Sequence, residues 1–349
     1  MMIPPIKRSC LVGILLILHV SLFFGQSTTG RFLLFTPSAR SSGMGGVGVA
    51  NDYSPYATYF NSSCLAFSPT VAVVGSFTKP LFFFDNVAHS YFSVSTNLKD
   101  IGAFGASANF YWKGTHLRTT SGGPDIIGSE ELTDWQLKLT YARSLSDRIA
   151  LGAGIGILRL TLSDQGAGQE KGVGKSTSIS FDIGIVAKEI FPFLTMAGSL
   201  SDEHTSLSTL GVTQNEKGIS LGMVLRNIGP KVTMIDAAQA DPLSSTLSFG
   251  LSYNLLCSTP LNVLLASDIE NRIYEGSLVD YIHWGGELRL YRVLFLRAGY
   301  YQDTSGPKNS YPTWGGGIHL YGVNLNLAHY RQSLWPSWHF DCSFSLEIL

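Results

Sequence analysis

The chain has 349 residues, 45% of them hydrophobic and only 14% charged, against the roughly 25% charged residues of an average soluble domain. The net charge of −1 excludes the broad basic field that holds nucleic acid, and 12% aromatic residues exclude a chain too polar to bury surface. So little charge on so long a chain points to an outer surface that is not wholly in water.

Residues 1–25 read as a secretory signal peptide. Lys7 and Arg8 precede an apolar run from Leu11 to Phe24, and Gly25 and Ser27 offer small residues for cleavage. The run is shorter than a spanning helix needs and is interrupted by His19 and Ser21. No later run reaches the ~18 apolar residues of such a helix. A chain of this kind crosses a bilayer only as a closed β-barrel. A large secreted sandwich or propeller is the competing architecture. Cys64, Cys257 and Cys342 are odd in number and lack metal spacing, so neither a disulfide scaffold nor a metal site is expected.

Residues 26–69 do not alternate. They are rich in Gly, Ser, Pro and Ala around Gly43-Met44-Gly45-Gly46, and ahead of a barrel they read as a plug for an otherwise water-filled lumen. Residues 70–349 form the barrel. Apolar residues there recur at every second position: Thr177, Ile179, Phe181, Ile183 and Ile185 oppose Ser178, Ser180, Asp182 and Gly184. Segments of about ten residues fit outer-membrane strands, whereas sandwich strands run to about five or six.

The pattern predicts fourteen strands: 70–78, 89–97, 101–113, 133–145, 148–163, 176–188, 218–229, 245–256, 261–272, 281–291, 294–303, 313–321, 323–332 and 338–349. The fold expected is all-β, a 14-stranded antiparallel transmembrane barrel with an N-terminal luminal plug. Odd-numbered gaps are long and even-numbered gaps tight, as outside loops and periplasmic turns should be. Residues 189–217 break that rule and read as an insertion. The register directs Phe181, Leu251 and Phe344 toward lipid and Asp182, Ser252 and Ser345 inward. Trp135, Tyr253, Trp284 and Trp338, near strand ends, suit interfacial girdles or a plain core.

Chemistry-bearing motifs are sparse. Gly152-Ala153-Gly154-Ile155-Gly156 and Gly315-Gly316-Gly317 sit in strand patterns with no helix following, so they ease barrel curvature rather than cradle phosphate. His283, His339 and Asp341 face inward, but no nucleophile-elbow sequence accompanies them, and no enzyme is expected. Arg226, Glu287, Arg289 and Arg297 form an inward polar network, either an ion-pair filling that anchors the plug or a ligand anchor. Asp134, Lys138 and Asp182 join from the far wall. Loop 230–244, with Val232, Met234, Ile235, Leu243 and few charges, is either a partner surface or a lid on the barrel mouth.

Residues 33–66 contain Ala39-Arg40, Gly43-Met44-Gly45-Gly46, Asp52, Ala57, Tyr59, Asn61 and Leu65-Ala66. This resembles the N-terminal motif of the PorV/PorQ family and, more distantly, the FadL family. Ser62-Ser63-Cys64 departs from the motif's Pro-Ala-Gly. Arg226 to Lys231 with Asp241-Pro242, and Leu296 to Tyr300 with Trp314 to Ile318, are similar to later PorV-type stretches. The resemblance implies a FadL-like barrel whose plug carries Arg40, Gly43, Met44, Gly45, Gly46, Asp52 and Asn61. It also implies a place in type IX secretion, with secretion machinery or passenger proteins as partners; Asp241 and Pro242 of the resembling stretch, with Met234 and Ile235 of the apolar loop, are the contacts expected. The alternative it implies is a FadL-like channel for hydrophobic small molecules. The partners expected are those proteins and the lipid bilayer, lipopolysaccharide included; no cofactor and no nucleic acid are expected.

Overall fold

The structure, a computed structural model, describes residues 28–69, 71–80, 86–98, 100–119, 123, 125–163, 174–190, 218–234, 240–258, 260–275, 279–306, 309–332 and 335–346. The expected signal peptide, residues 191–217 of the expected 189–217 insertion and Ile235 lie outside those residues.

Fourteen strands close on themselves, each antiparallel to both neighbours, with β1 sealing against β14. They are β1 Val71–Thr78, β2 Val87–Leu98, β3 Gly102–Thr119, β4 Ile126–Ser144, β5 Ile149–Ser163, β6 Gly174–Ala187 and β7 Gly218–Ile228, followed by β8 Thr246–Cys257, β9 Leu261–Arg272, β10 Tyr281–Leu290, β11 Leu294–Asp303, β12 Tyr311–Leu320, β13 Val323–Gln332 and β14 Trp335–Leu346. Every strand expected from the alternation is present. The clearest difference is the gap 114–132, expected as a loop. There β3 runs on to Thr119 and β4 begins at Ile126, pairing beyond a register shift between Trp112 and Thr115. Alternation does not mark this extension because its residues are mostly exposed on both faces.

Side chains follow the pleat. Phe181 and Leu251 are each 44% exposed on the outer wall, while Asp182 and Ser252 are buried inside. Phe344 also faces out; the Ser345 side chain lies outside the described residues. Trp284, Trp314 and Trp338 are exposed near the long-loop ends of β10, β12 and β14, and Trp314 packs edge-on to Trp338. Trp135 and Tyr253 are only half-exposed. Tyr291 and Tyr321 stand out at the opposite rim. Both begin tight turns in the left-handed region, Tyr291-Arg292 and Tyr321-Gly322, which matches the right-handed twist of the hairpins they join.

Inside the wall runs the N-terminal segment. Its short helices are α1 Ala39–Gly43, capped by Ser38 Oγ accepting from the Ser41 amide, and α2 Ala57–Phe60. Asn61 caps the 3-10 turn Ser62–Phe67 in the same way. Phe32 and Leu33 pack on Leu158 and Leu160 near the long-loop end of β5. Cys64, Leu65 and Ala66 pack on Ala103, Ala142 and Ala150 at the short-turn end. The segment thus extends from one end of the barrel to the other.

Candidate functional site

The segment is seated mainly by polar groups of the wall, most of them reaching backbone that its irregular path leaves without helical or strand partners. Asp268 of β9 accepts the amides of Gly48 and Val49 at 2.7 and 3.0 Å. Asp341 of β14 accepts the Ala39 amide at 2.7 Å and Asn326 Nδ2 at 2.7 Å. Thr313 of β12 accepts the Gly45 amide at 2.8 Å and donates to the Gly43 carbonyl. His283 Nδ1 lies 2.7 Å from the Gly45 carbonyl, and His339 Nδ1 lies 3.0 Å from Ser42 Oγ. Asn61 donates through Nδ2 to the carbonyls of Val49 and Ile185. Asp52 turns its own chain by accepting from the Ser54 amide and hydroxyl.

The wall makes room with glycine. A Cβ on Gly285 would strike the Met44 carbonyl, and one on Gly299 the Gly45 nitrogen. Gly222 and Gly250 clear Val49, Gly184 clears Asn61, and Gly152 clears Ser63. Gly45 itself has φ +74°, and any side chain there would meet the Trp284 carbonyl at 2.5 Å. Of the glycines expected to ease curvature, Gly152 thus has a second reason to be small. Nothing in the strand pattern separates the two reasons, because an inward glycine looks the same in both.

The inward charges divide into separate groups rather than one network. Glu287 is shared by three guanidiniums: Arg40 Nε at 3.0 Å, Arg289 Nε at 2.6 Å and Arg297 Nε at 2.6 Å. Arg226 stands apart, bonded to Glu270 at 3.1 Å and to the Tyr59 carbonyl at 3.2 Å, its guanidinium 4.8 Å from the Tyr59 ring centre. Burial pushes the Tyr59 phenol up to about 12, with Arg226 pulling the other way. On the far wall Lys138 pairs with Asp182, and Asp134 pairs instead with Lys113 at 2.8 Å. His339 and Asp341 both serve the segment, and both Asp341 oxygens are engaged elsewhere than on a histidine. Asp268, Thr313 and Glu270 were not singled out from the sequence. Their signal was a polar residue on the inward phase of a strand, which many positions share.

Loop 230–244 turns toward the barrel. Val232 pairs with Asp241 through both backbone bonds, and Thr29 donates to the Pro242 carbonyl at 3.0 Å. Val232, Pro242 and Leu243 are buried, and Met234 is half-buried against Phe32 and Leu33. Asp241 alone of the expected partner residues is exposed, Ile235 being outside the described set. The described part of the loop is therefore a lid packed on the segment, not a free apolar surface.

The described strands make the chain a closed fourteen-stranded antiparallel β-barrel. Solved structures of that class match nearly end to end. The toluene transporter TbuX of Ralstonia pickettii aligns with TM-score 0.54 and 12% identity over 89% of this chain and 98% of its own. The toluene transporter TodX of Pseudomonas putida aligns with TM-score 0.51 and 13% identity over 92% and 97%. Likeness at that identity shows shared fold alone. The family model for the type IX secretion system protein PorV matches residues 25–199, and the chain belongs to the PorV family. No curated protein matches the sequence.

Proposed function

We propose that the protein is an outer-membrane barrel of type IX secretion that works as a docking platform, with residues 28–69 acting as a luminal plug. The observation that carries this reading is the seating of that segment. Wall carboxylates, the Arg40–Glu287 pair and glycine-to-backbone contacts hold it along the interior, leaving the outer surface to do the work. The outward apolar band between a tryptophan rim and a tyrosine rim suits a bilayer. The long loops then face outside and the short turns the periplasm.

The partner surface moves from loop 230–244 to the β3–β4 hairpin. Its extension stands beyond the Trp112 rim and carries Leu117, Ile126 and Ile127 at 62, 63 and 56% exposed. Apolar side chains displayed so far from the wall are costly in water unless a partner covers them.

The test is co-purification from gently solubilised outer membranes. Secretion components should accompany the native barrel and be lost from the Leu117→Asp, Ile127→Asp double variant at equal barrel abundance. Capture that persists in the variant overturns the hairpin assignment. No capture at all, with uptake of hydrophobic solutes instead, replaces docking with the FadL-like transport reading.

A further inference from the structure

The three arginines on Glu287 border a cavity of about 130 Å³ at the short-turn end of the interior, far from the outer hairpin. Arg40 and Arg297 share one carboxylate oxygen of Glu287, and Arg289 through Nε shares the other with an Arg40 terminal nitrogen. That spends one negative charge against three positive ones. Asp52, 4.0 Å from Arg40, offsets a second. Asp341 also lines the cavity, but its oxygens are committed to Ala39 and Asn326, and it forms no ion pair among the described residues.

Three lining groups are left with hydrogen-bonding capacity. Arg289 uses only Nε, so its two terminal nitrogens have no partner among the described residues. Asn324 Oδ1 lies 2.7 Å from His319 Nδ1, which leaves its Nδ2. Asn51 is only 6% exposed, yet neither end of its amide has a partner. A buried unpaired amide costs free energy that a bound group recovers. A guanidinium presenting two parallel N–H groups is suited to a two-oxygen anion, and the neighbouring amides add donors.

We propose that this cavity is a binding site for a small oxyanion, a carboxylate or phosphate, arriving from the short-turn side and held by Arg289 with Asn324 and Asn51. The site is independent of the docking reading and stands or falls separately from it. Its size suits a molecule about as large as benzene rather than a long chain.

The experiment is calorimetric titration of the purified full barrel in non-ionic detergent with succinate, with inorganic phosphate, and with succinamide as the uncharged analogue. Saturable binding of succinate identifies a carboxylate site, and saturable binding of phosphate a phosphate site. Either should weaken at least tenfold in Arg289→Gln, with succinamide inert. Heat-dependent gel mobility reports whether the variant has assembled. Where Arg289→Gln fails to assemble, Asn324→Ala decides, with a several-fold loss expected. Absence of saturable binding by both anions, equal binding of succinamide, or unchanged affinity in the assembled variant overturns the proposal.

Discussion

Gly299 of the wall and Gly45 of the N-terminal segment meet backbone to backbone: a Cβ on Gly299 would fall on the Gly45 amide nitrogen. Neither partner of such a contact can yield, since both are main chain held by hydrogen bonds. Gly299→Val should therefore unseat the segment, at a cost of roughly 1–3 kcal/mol or more for forced overpacking. The check is trypsin cleavage after Arg40, protected in the native barrel and exposed in the variant. Gly128→Val, where a side chain meets nothing within 4 Å, is the control that should stay protected.

Leu251 lies mid-strand on the outward face of β8. Leu251→Arg should cost roughly 2–4 kcal/mol if that face meets the bilayer core. Ser252 is a poor inward comparison, because its hydroxyl already touches the Ala50 carbonyl at 3.3 Å. Gly128 in the β3–β4 hairpin, where a side chain meets nothing within 4 Å, is a better control. The fraction of heat-modifiable barrel in the outer membrane should fall for Leu251→Arg and hold for Gly128→Arg. Equal losses would contradict the bilayer-facing assignment.

The buried Lys138–Asp182 pair also orders a turn of the chain, since Asp182 Oδ1 accepts the amide of Asn227, a residue at φ 57°. Lys138→Met leaves a buried carboxylate unpaired and should destabilise by roughly 3–5 kcal/mol. Adding Asp182→Asn removes the stranded charge yet keeps an acceptor for Asn227. The double variant should therefore recover part of the loss in denaturant unfolding. A double variant no more stable than Lys138→Met would show that the charge is not what matters.

Glu287→Gln takes the shared carboxylate from three guanidiniums at once, so it should release the segment more than Lys138→Met does. Arg31→Ala breaks only the 3.7 Å pair with Glu275 at an exposed position, worth about 0–1 kcal/mol. Ion conductance in planar bilayers should rise for Glu287→Gln and not for Arg31→Ala. The reverse order would move the anchor from the interior to the mouth.

The wall was legible because a strand with one apolar face repeats every two residues, and Phe181 over Asp182 or Leu251 over Ser252 states both faces at once. Register and strand number follow from that repeat. The β3–β4 extension was not legible because Leu117 and Ile126 belong to a ribbon exposed on both sides, where alternation has no meaning. The charged groups were found as inward residues but not as partners. Arg226 and Arg297 occupy equivalent phases of their strands, and only the stagger of the barrel sends one to Glu270 and the other to Glu287. Loop 230–244 stayed open between two readings, since apolar residues in a loop fit an exposed surface and a packed lid equally well.

The segment's course also fixes which mouth each of its ends occupies. Thr29 bonds to Leu243's neighbours at the long-loop mouth, and Ala66 packs at the short-turn end before β1 begins. The two ends of one short segment therefore mark opposite faces of the barrel. A small epitope grafted ahead of Thr28 would then be displayed to antibody on intact cells.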